Sequence, residues 1–193
     1  EAFKYGVYPL HDDVTGRIAN VAKIYSPKRE EFVYYPPGAV RIPEAYSPNV
    51  KNKDHTITAY VNNPEGGSQG VLMAAGGIYT GYAFYVEDNK PVYYYNAYNE
   101  DRYKIKGTEA LPAGDVVIEA RYVAGENLTA TVTLHVNGKQ VGQGSVERVV
   151  PGTYSLSETF DVGQDTGSPV SKDYDRDNVF TGELDRVVIK IAD

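Results

Sequence analysis

The sequence contains no cysteine and no tryptophan. Without cysteine, its 193 residues can form no disulfide bond, no cysteine-ligated zinc site and no catalytic thiolate. Lysine and arginine are scattered rather than clustered, and the net charge is −7, so the basic stripe expected of a nucleic-acid-binding surface is missing. No apolar run approaches the ~20 residues of a membrane-spanning helix. We therefore expect neither a nucleic acid nor a membrane as a partner.

Aromatic residues are supplied mainly by tyrosine, with 18 tyrosines against five phenylalanines. Tyrosine favours strands and has an apolar body with a polar tip, which suits a half-buried sheet surface. The alternative is an aromatic platform for a ligand such as a sugar. Within residues 90–98, Tyr93 and Tyr95 share one face of a predicted strand, and we name these two as candidate ligand-binding residues.

Residues 1–53 differ from the rest of the chain in their proline content. Six of the eleven prolines lie in this stretch, and proline is disfavoured in helix interiors and central strands. We expect a linker with little regular structure, in which short helices are allowed at residues 1–5 and after Asp12-Asp13. The chain begins without methionine and without a signal-peptide pattern. We interpret this start as a cut inside a longer protein or as the product of processing.

From residue 54 onward, apolar residues recur with a period of two, as residues 55–61 illustrate. The pattern indicates about ten strands separated by short turns. Asn137-Gly138 favours the left-handed φ angles of a type I′ turn and predicts a hairpin, and Asp88-Asn89-Lys90 predicts another. Residues 54–193 are therefore predicted to form an all-β, two-sheet antiparallel sandwich of the jelly-roll or concanavalin A-like lectin type.

Glycoside hydrolysis requires two carboxyl groups that face one cleft. Many glucan-cleaving sandwiches carry Glu-x-Asp-x-x-Glu on one strand, where the period of two points the first two acids to the same side. Here Glu183-Leu-Asp185 supplies the first two acids, but Val188 stands at the third position. The Gly-x-Ser-x-Gly motif of serine hydrolases is absent as well. We expect no catalytic residue in this chain.

Residue types that bind metals are sparse. His11, His55 and His135 are far apart in the sequence, which argues against a zinc site. Closely spaced aspartates could supply several of the six to eight oxygen ligands that calcium takes. The candidate calcium ligands are Asp161, Asp165, Asp173, Asp175 and Asp177. The alternative is a solvated acidic loop with Asx turns, so calcium is an allowed cofactor and none is required.

Ten segments together form a specific pattern along the chain. The most specific is Glu158-Thr-Phe-Asp-Val-Gly-Gln-Asp-Thr-Gly-Ser-Pro-Val170. The others are residues 1–12, 34–36, 40–44, 48–58, 65–67, 70–77, 90–96, 136–142 and 180–182. Taken in order, these segments resemble the C-terminal region of bacterial-type arylsulfatases. The resemblance implies a sulfatase catalytic domain before Glu1. The sequence does not determine the location, and a periplasmic or extracellular one is favoured over a cytoplasmic one. Sulfatases make their formylglycine from Cys/Ser-x-Pro-x-Arg, and Ser26-Pro-Lys-Arg29 does not have that spacing.

Two functions are the main hypotheses, beside a hydrolase whose catalytic pair is not evident. The first is a non-catalytic accessory domain that packs against, and stabilises, the sulfatase catalytic domain of the same parent chain. The alternative is a lectin-like module that binds glycans, with or without calcium. Exposed aromatic faces around a groove would favour the binding module, whereas a broad apolar patch would favour the packing domain.

Overall fold

A computed structural model describes residue 1, residues 29–176 and residues 178–192. The short helices allowed for residues 1–5 and after Asp12-Asp13 lie outside the described residues, except for residue 1. His11 and Asp177 also lie outside them. Within the described part, no helix has the length and apolar character needed to cross a bilayer.

Strands dominate the described residues, with two short 3-10 helices at Glu44–Tyr46 and Glu126–Leu128. The strands are β1 (Glu31–Tyr34), β2 (Ile42–Pro43), β3 (His55–Asn63), β4 (Gly70–Gly76), β5 (Gly81–Glu87), β6 (Lys90–Ala97), β7 (Asp101–Lys106), β8 (Gly114–Ala124), β9 (Ala130–Val136), β10 (Lys139–Val146), β11 (Thr159–Val162) and β12 (Glu183–Ile191). The first sheet has the order β1-β12-β3-β8-β9-β10, and the second has the order β2-β11-β4-β5-β6-β7. Neighbouring strands are antiparallel throughout. The predicted all-β, two-sheet antiparallel sandwich is confirmed.

Strands β1 and β2 begin the sandwich earlier than the alternating pattern indicates. The expectation was a linker over residues 1–53 and a sandwich over residues 54–193. In the described residues, β1 pairs with β12 at the edge of the first sheet, and β2 pairs with β11 at the edge of the second. Both strands are too short for a period of two to be recognised. They place the two sheet edges beside each other on one side of the molecule.

The space between the sheets is filled by inward-facing side chains of both. On β3, Ile57, Ala59 and Val61 are buried, whereas the intervening Thr56 and Thr58 are partly exposed on the outer face. The facing strands of the second sheet contribute large aromatic rings. These rings include Tyr82, Phe84, Tyr93 and Tyr95, all of which belong to the same core.

The central strands of the second sheet, β4 to β6, are buried on both faces. The outer face of this sheet carries a smaller apolar cluster, against which Val170 and Tyr174 pack. Its strand members are Val71, Ala74, Ala83, Tyr85, Val92 and Tyr94. We refer to residues 163–182, which lie between β11 and β12, as the cover segment. Because β5 and β6 are covered on both sides, their tyrosines are buried more deeply than the half-buried surface that we expected.

Both predicted hairpin turns are confirmed. Asn137 and Gly138 have φ angles of 49° and 82°, and they join β9 to β10. Asp88 and Asn89 have φ angles of 51° and 58°, and they lie between the paired strands β5 and β6. Two successive positive φ angles are the geometry of the type I′ turn, which matches the twist of the flanking strands.

Candidate functional site

Tyr93 and Tyr95, the two tyrosines expected to contact a ligand, lie inside the sandwich. Each is 1% exposed. The Tyr95 hydroxyl accepts a hydrogen bond of 2.9 Å from the backbone N–H of Val150, and burial raises the pKa of both phenols. An aromatic platform at these two positions is therefore wrong, because the face that they share on β6 is the face turned towards the other sheet.

Asp161 on β11 is fully buried, and donors surround its carboxylate. One oxygen accepts the backbone N–H of Arg41. The other accepts the hydroxyl of Thr159 at 3.0 Å, and the hydroxyl and N–H of Thr166 at 2.9 and 3.2 Å. A buried carboxylate is stabilised by this number of donors. Asp161 thereby ties the residues before β2 to the start of the cover segment.

Asp165 lies in the cover segment and is 4% exposed. One of its carboxylate oxygens accepts the Tyr174 hydroxyl at 2.6 Å and the Val170 N–H at 2.9 Å, whereas Oδ1 has no partner among the described residues. Burial raises the pKa of this carboxyl to about 6, and the nearby charges of Asp161 and Glu158 add to the shift, although the two hydrogen bonds oppose it. The carboxyl group thereby connects Asp165 to Val170 and Tyr174, which pack on the outer face of the second sheet.

Asp173 faces a different set of partners from Asp165. It accepts the Tyr85 hydroxyl at 2.7 Å and pairs with the ammonium of Lys104 at 2.9 Å. Burial acts to raise the pKa of Asp173, but the hydrogen bonds from Lys104 and Tyr85 outweigh it, so the pKa is lowered. These contacts attach the cover segment to β5 and β7.

The candidate calcium ligands therefore do not converge in the described part of the chain. Asp175 is exposed, Asp177 lies outside the described residues, and no group of three or more His, Asp or Glu side chains is placed to hold a metal ion there. His55 is buried on β3 and stacks on Tyr122, and burial lowers its pKa to about 4. A calcium site that includes Asp177 stays a prediction.

A groove of about 1180 Å³ runs along the side of the molecule where β1 and β2 form adjacent sheet edges. Its floor contains Phe32 and Tyr34 of β1, and its walls come from the segments after β2 and before β11. Residues that line it are Arg29, Glu30, Phe32, Tyr34, Pro43, Glu44, Ala45, Tyr46, Ser47, Asn49, Lys51, Lys53, Thr153, Ser155, Leu156, Ser157, Glu158, Thr159, Ile191 and Ala192.

Glu44 fixes the walls of this groove. Its carboxylate accepts the backbone N–H groups of Tyr154 and Ser155 at 2.9 and 3.0 Å, and it pairs with the ammonium of Lys51 at 2.6 Å. The same ammonium lies 4.8 Å from the centre of the Tyr154 ring. Charge-assisted hydrogen bonds of this kind are stronger than neutral ones, so the segments on the two sides of the groove are held in one arrangement.

The side chains that remain available in the groove are suited to binding. Tyr46 is 64% exposed and Leu156 is fully exposed, and Ser47, Asn49 and Ser157 line the same groove with hydroxyl and amide groups. The Ser47 hydroxyl donates to the carbonyl of Glu44 at 2.8 Å, which leaves its oxygen as an acceptor. An exposed aromatic ring with nearby hydroxyl and amide groups can stack on one face of a sugar ring and bond to its hydroxyl groups. The period of two could not indicate this site, because the segment around Tyr46 is irregular and its opposite wall is more than a hundred residues away in the sequence.

The sequence matches one family model, and the fold is similar to that of several solved structures. The family model described as the concanavalin A-like lectin/glucanases superfamily matches residues 38–190. No curated protein matches the sequence. The match agrees with the predicted concanavalin A-like type of sandwich.

Three solved structures illustrate the fold. The CBM40 of the Ruminococcus gnavus IT-sialidase, bound to α2,6 sialyllactose, has a TM-score of 0.55 at 13% identity. The matched region covers 86% of this chain and 93% of the CBM40 chain. The same module with α2,3 sialyllactose has a TM-score of 0.53 at 13% identity, over 86% and 92%. Domain 4 of AbnA, a GH43 extracellular arabinanase from Geobacillus stearothermophilus in complex with arabinotriose, has a TM-score of 0.51 at 15% identity, over 74% and 62%.

Proposed function

Since the chain belongs to the concanavalin A-like lectin/glucanases superfamily, we propose that its sandwich is a non-catalytic module that binds carbohydrate in the groove between β1 and β2. The observation that carries the proposal is the groove itself, with the exposed ring of Tyr46 beside hydroxyl and amide groups on walls fixed by Glu44. The similar solved structures, whose names include sialyllactose and arabinotriose, support a glycan as the class of ligand.

Binding rather than hydrolysis is favoured by the carboxylates of the groove. Glu44 accepts hydrogen bonds from the N–H groups of Tyr154 and Ser155 and pairs with the ammonium of Lys51. Glu158 accepts hydrogen bonds from the hydroxyl of Ser168 at 2.6 Å and from its N–H at 3.3 Å. A general acid and a base must be free to reach the glycosidic oxygen and a water molecule. Of the three carboxylates that line the groove in the described part of the chain, Glu44 and Glu158 serve to hold its walls, which leaves Glu30 without a second carboxylate to form an acid–base pair.

A role as an accessory domain of a sulfatase stays a prediction from the resemblance of the ten segments. A periplasmic or extracellular location, which the sequence only favours, stays a prediction as well. Nothing in the described structure or in the reported comparisons shows a sulfatase parent. The two roles are compatible, because a module that packs on a catalytic domain can also hold that domain's glycan substrate. The coding sequence upstream of Glu1 tests the sulfatase parent directly.

The test of the proposed function is a glycan array that includes neutral, sialylated and sulfated oligosaccharides, followed by calorimetry with the best ligand. We expect Tyr46→Ala to weaken binding at least tenfold, which corresponds to about 1.4 kcal/mol. Tyr35→Ala is the matched control, since Tyr35 is 61% exposed but does not line the groove. The same titration with added calcium and with a chelator shows whether binding depends on calcium.

Two results would contradict the proposal. One is an array without any bound glycan. The other is a bound glycan whose affinity falls equally in the Tyr46 and Tyr35 variants, because the groove would then have no special part in binding.

A further inference from the structure

One row of paired residues crosses the whole end of the second sheet. Each residue in the row is directly opposite the next on the neighbouring strand, from β2 at one edge to β7 at the other. The row consists of Pro43, Thr159, Gly76, Gly81, Asn96 and Arg102. The segments that continue beyond it therefore leave the sheet side by side at the same end.

Exposed apolar side chains lie just beyond this row in four separate segments. Tyr46 follows β2, Leu156 precedes β11, Tyr79 lies between β4 and β5, and Tyr98 lies between β6 and β7. Tyr79 is 72% exposed and Tyr98 is 49% exposed, in addition to the exposed Tyr46 and Leu156 of the groove. With strands about 4.8 Å apart, four strand intervals separate β2 from β6, a distance of about 20 Å. We refer to these four side chains as the end row.

The two turns that carry Tyr79 and Tyr98 are joined by one buried amide. Asn96 is 1% exposed. Its amide nitrogen donates to the carbonyl of Ile78 at 2.8 Å, and its amide oxygen accepts the N–H of Asn99 at 3.0 Å. Because a single side chain bonds to both turns, their exposed tyrosines are held at a fixed separation.

The same end of the sheet is connected to the groove. The Ser168 hydroxyl donates to Glu158, which lines the groove, and it accepts the N–H of Ile78 at 3.1 Å. The turn that carries Tyr79 therefore abuts the groove wall. Ser168 therefore links the groove to the turn that carries Tyr79, and Asn96 links that turn to the turn that carries Tyr98.

Tyr98 is held in a backbone conformation that does not suit a large side chain. Its φ angle is 58°, and Asn99 has the same value. Asn or Gly is the usual residue at such a position, and an unfavourable conformation of this kind is often found at a functional site. One side of the Tyr98 ring is covered by the guanidinium of Arg148, 5.1 Å from the ring centre. Arg148 is itself anchored by the carboxylates of Glu100 and Asp101 at 2.9 and 3.0 Å, so the ring is presented in one orientation.

We propose that the binding site continues from the groove along the end row to Tyr98, so that the ligand is a glycan chain of several sugar units bound along its length. This inference rests on the proposed carbohydrate-binding function. A chain fits better than a protein surface, because the exposed rings are separate and each turn is bordered by charged or amide groups. A protein partner would instead favour one contiguous apolar patch.

The experiment is calorimetry with a length series of the glycan identified on the array, from the disaccharide to the longest soluble oligomer. We expect affinity to rise at least tenfold over the series. Tyr98→Asn should abolish this gain and leave the affinity for the disaccharide unchanged, whereas Tyr46→Ala should weaken binding at every length. Asn suits a positive φ angle, so this variant keeps the turn and removes only the ring. Tyr98→Phe should restore the gain.

Three outcomes overturn the inference in different ways. If affinity is independent of chain length while Tyr46→Ala still weakens binding, the extension along the end row is wrong and the groove remains a glycan site. If no glycan binds at any length, both proposals fail. If Tyr98→Asn instead abolishes self-association in sedimentation experiments without changing glycan affinity, the end row is an interface between copies of this chain.

Discussion

At the scale of single residues, three aspartates of the acidic stretch accept hydrogen bonds from other groups of the protein. Closely spaced aspartates predicted a calcium site, but Asp161, Asp165 and Asp173 each have their own donors. Asp165 is bound by neighbours in the cover segment, whereas Asp161 and Asp173 also accept hydrogen bonds from distant parts of the chain. Those donors include Tyr85, which lies more than eighty residues from Asp173. Local spacing shows which carboxylates are close in sequence, and it cannot show which distant hydroxyl or ammonium groups bond to them.

The pKa of Asp165 gives a prediction that concerns this one carboxyl. The folded protein raises this pKa from 3.8 to about 6, because it favours the protonated carboxyl over the ionised one. The contribution of Asp165 to the free energy of unfolding is therefore complete below about pH 4 and is lost as the pH rises through 6. Asp165→Asn should therefore be more stable than the natural chain at pH 7, by at most about 3 kcal/mol. This difference in the free energy of unfolding should shrink as the pH is lowered to 4.

The measurement is urea unfolding from pH 4 to pH 8 in the presence of a chelator. Asp175→Asn is the control, since Asp175 is exposed and should change stability little at any pH. A difference between natural chain and Asp165 variant that does not vary with pH would show that this carboxyl does not titrate as described.

At the scale of secondary structure, the regular elements were predictable and their surroundings were not. The alternation in β3 and the turn residues Asn137-Gly138 specify a strand and a hairpin through local geometry alone. The burial of Tyr93 and Tyr95 depends instead on which face of β6 meets the other sheet, and the cover segment conceals the opposite face as well. A strand with tyrosines on both faces has no alternation that could reveal either contact.

The cover segment supplies a prediction at this scale. Asn178 accepts the N–H of Asp165 at 2.6 Å and donates to the carbonyls of Asp165 and Asp175 at 3.0 and 2.8 Å. Asn178→Ala would leave these buried groups without partners and should lower the free energy of unfolding by about 2–4 kcal/mol. Hydrogen exchange should increase first at the amides around Val170, because the covering of the second sheet is loosened before the rest.

Val179→Ala is the matched control for that variant, because Val179 is adjacent in sequence and 59% exposed. Its effect on stability should be within about 0.5 kcal/mol. Equal effects of the two substitutions would mean that the Asn178 side chain does not hold the cover segment in place.

At the scale of the whole molecule, function depends on the meeting of distant segments. The groove forms where residues 43–53 approach residues 153–159, and the edges of both sheets border it. Proline in the first of these segments predicted irregular structure without indicating what it would line. The glycan-binding module, which was the alternative to a packing domain of a sulfatase, is the function that this arrangement and the family favour.

The most direct test of carbohydrate binding in the groove is an NMR titration of isotope-labelled protein with the oligosaccharide selected on the array. If the groove is the binding site, the amide signals of Ser47, Ser155 and Leu156 should shift progressively and in parallel. Signals from the outer face of the first sheet, such as those of Thr58 and Thr133, should stay unchanged. Shifts confined to the outer face of the first sheet, with the groove signals unmoved, would contradict carbohydrate binding in the groove.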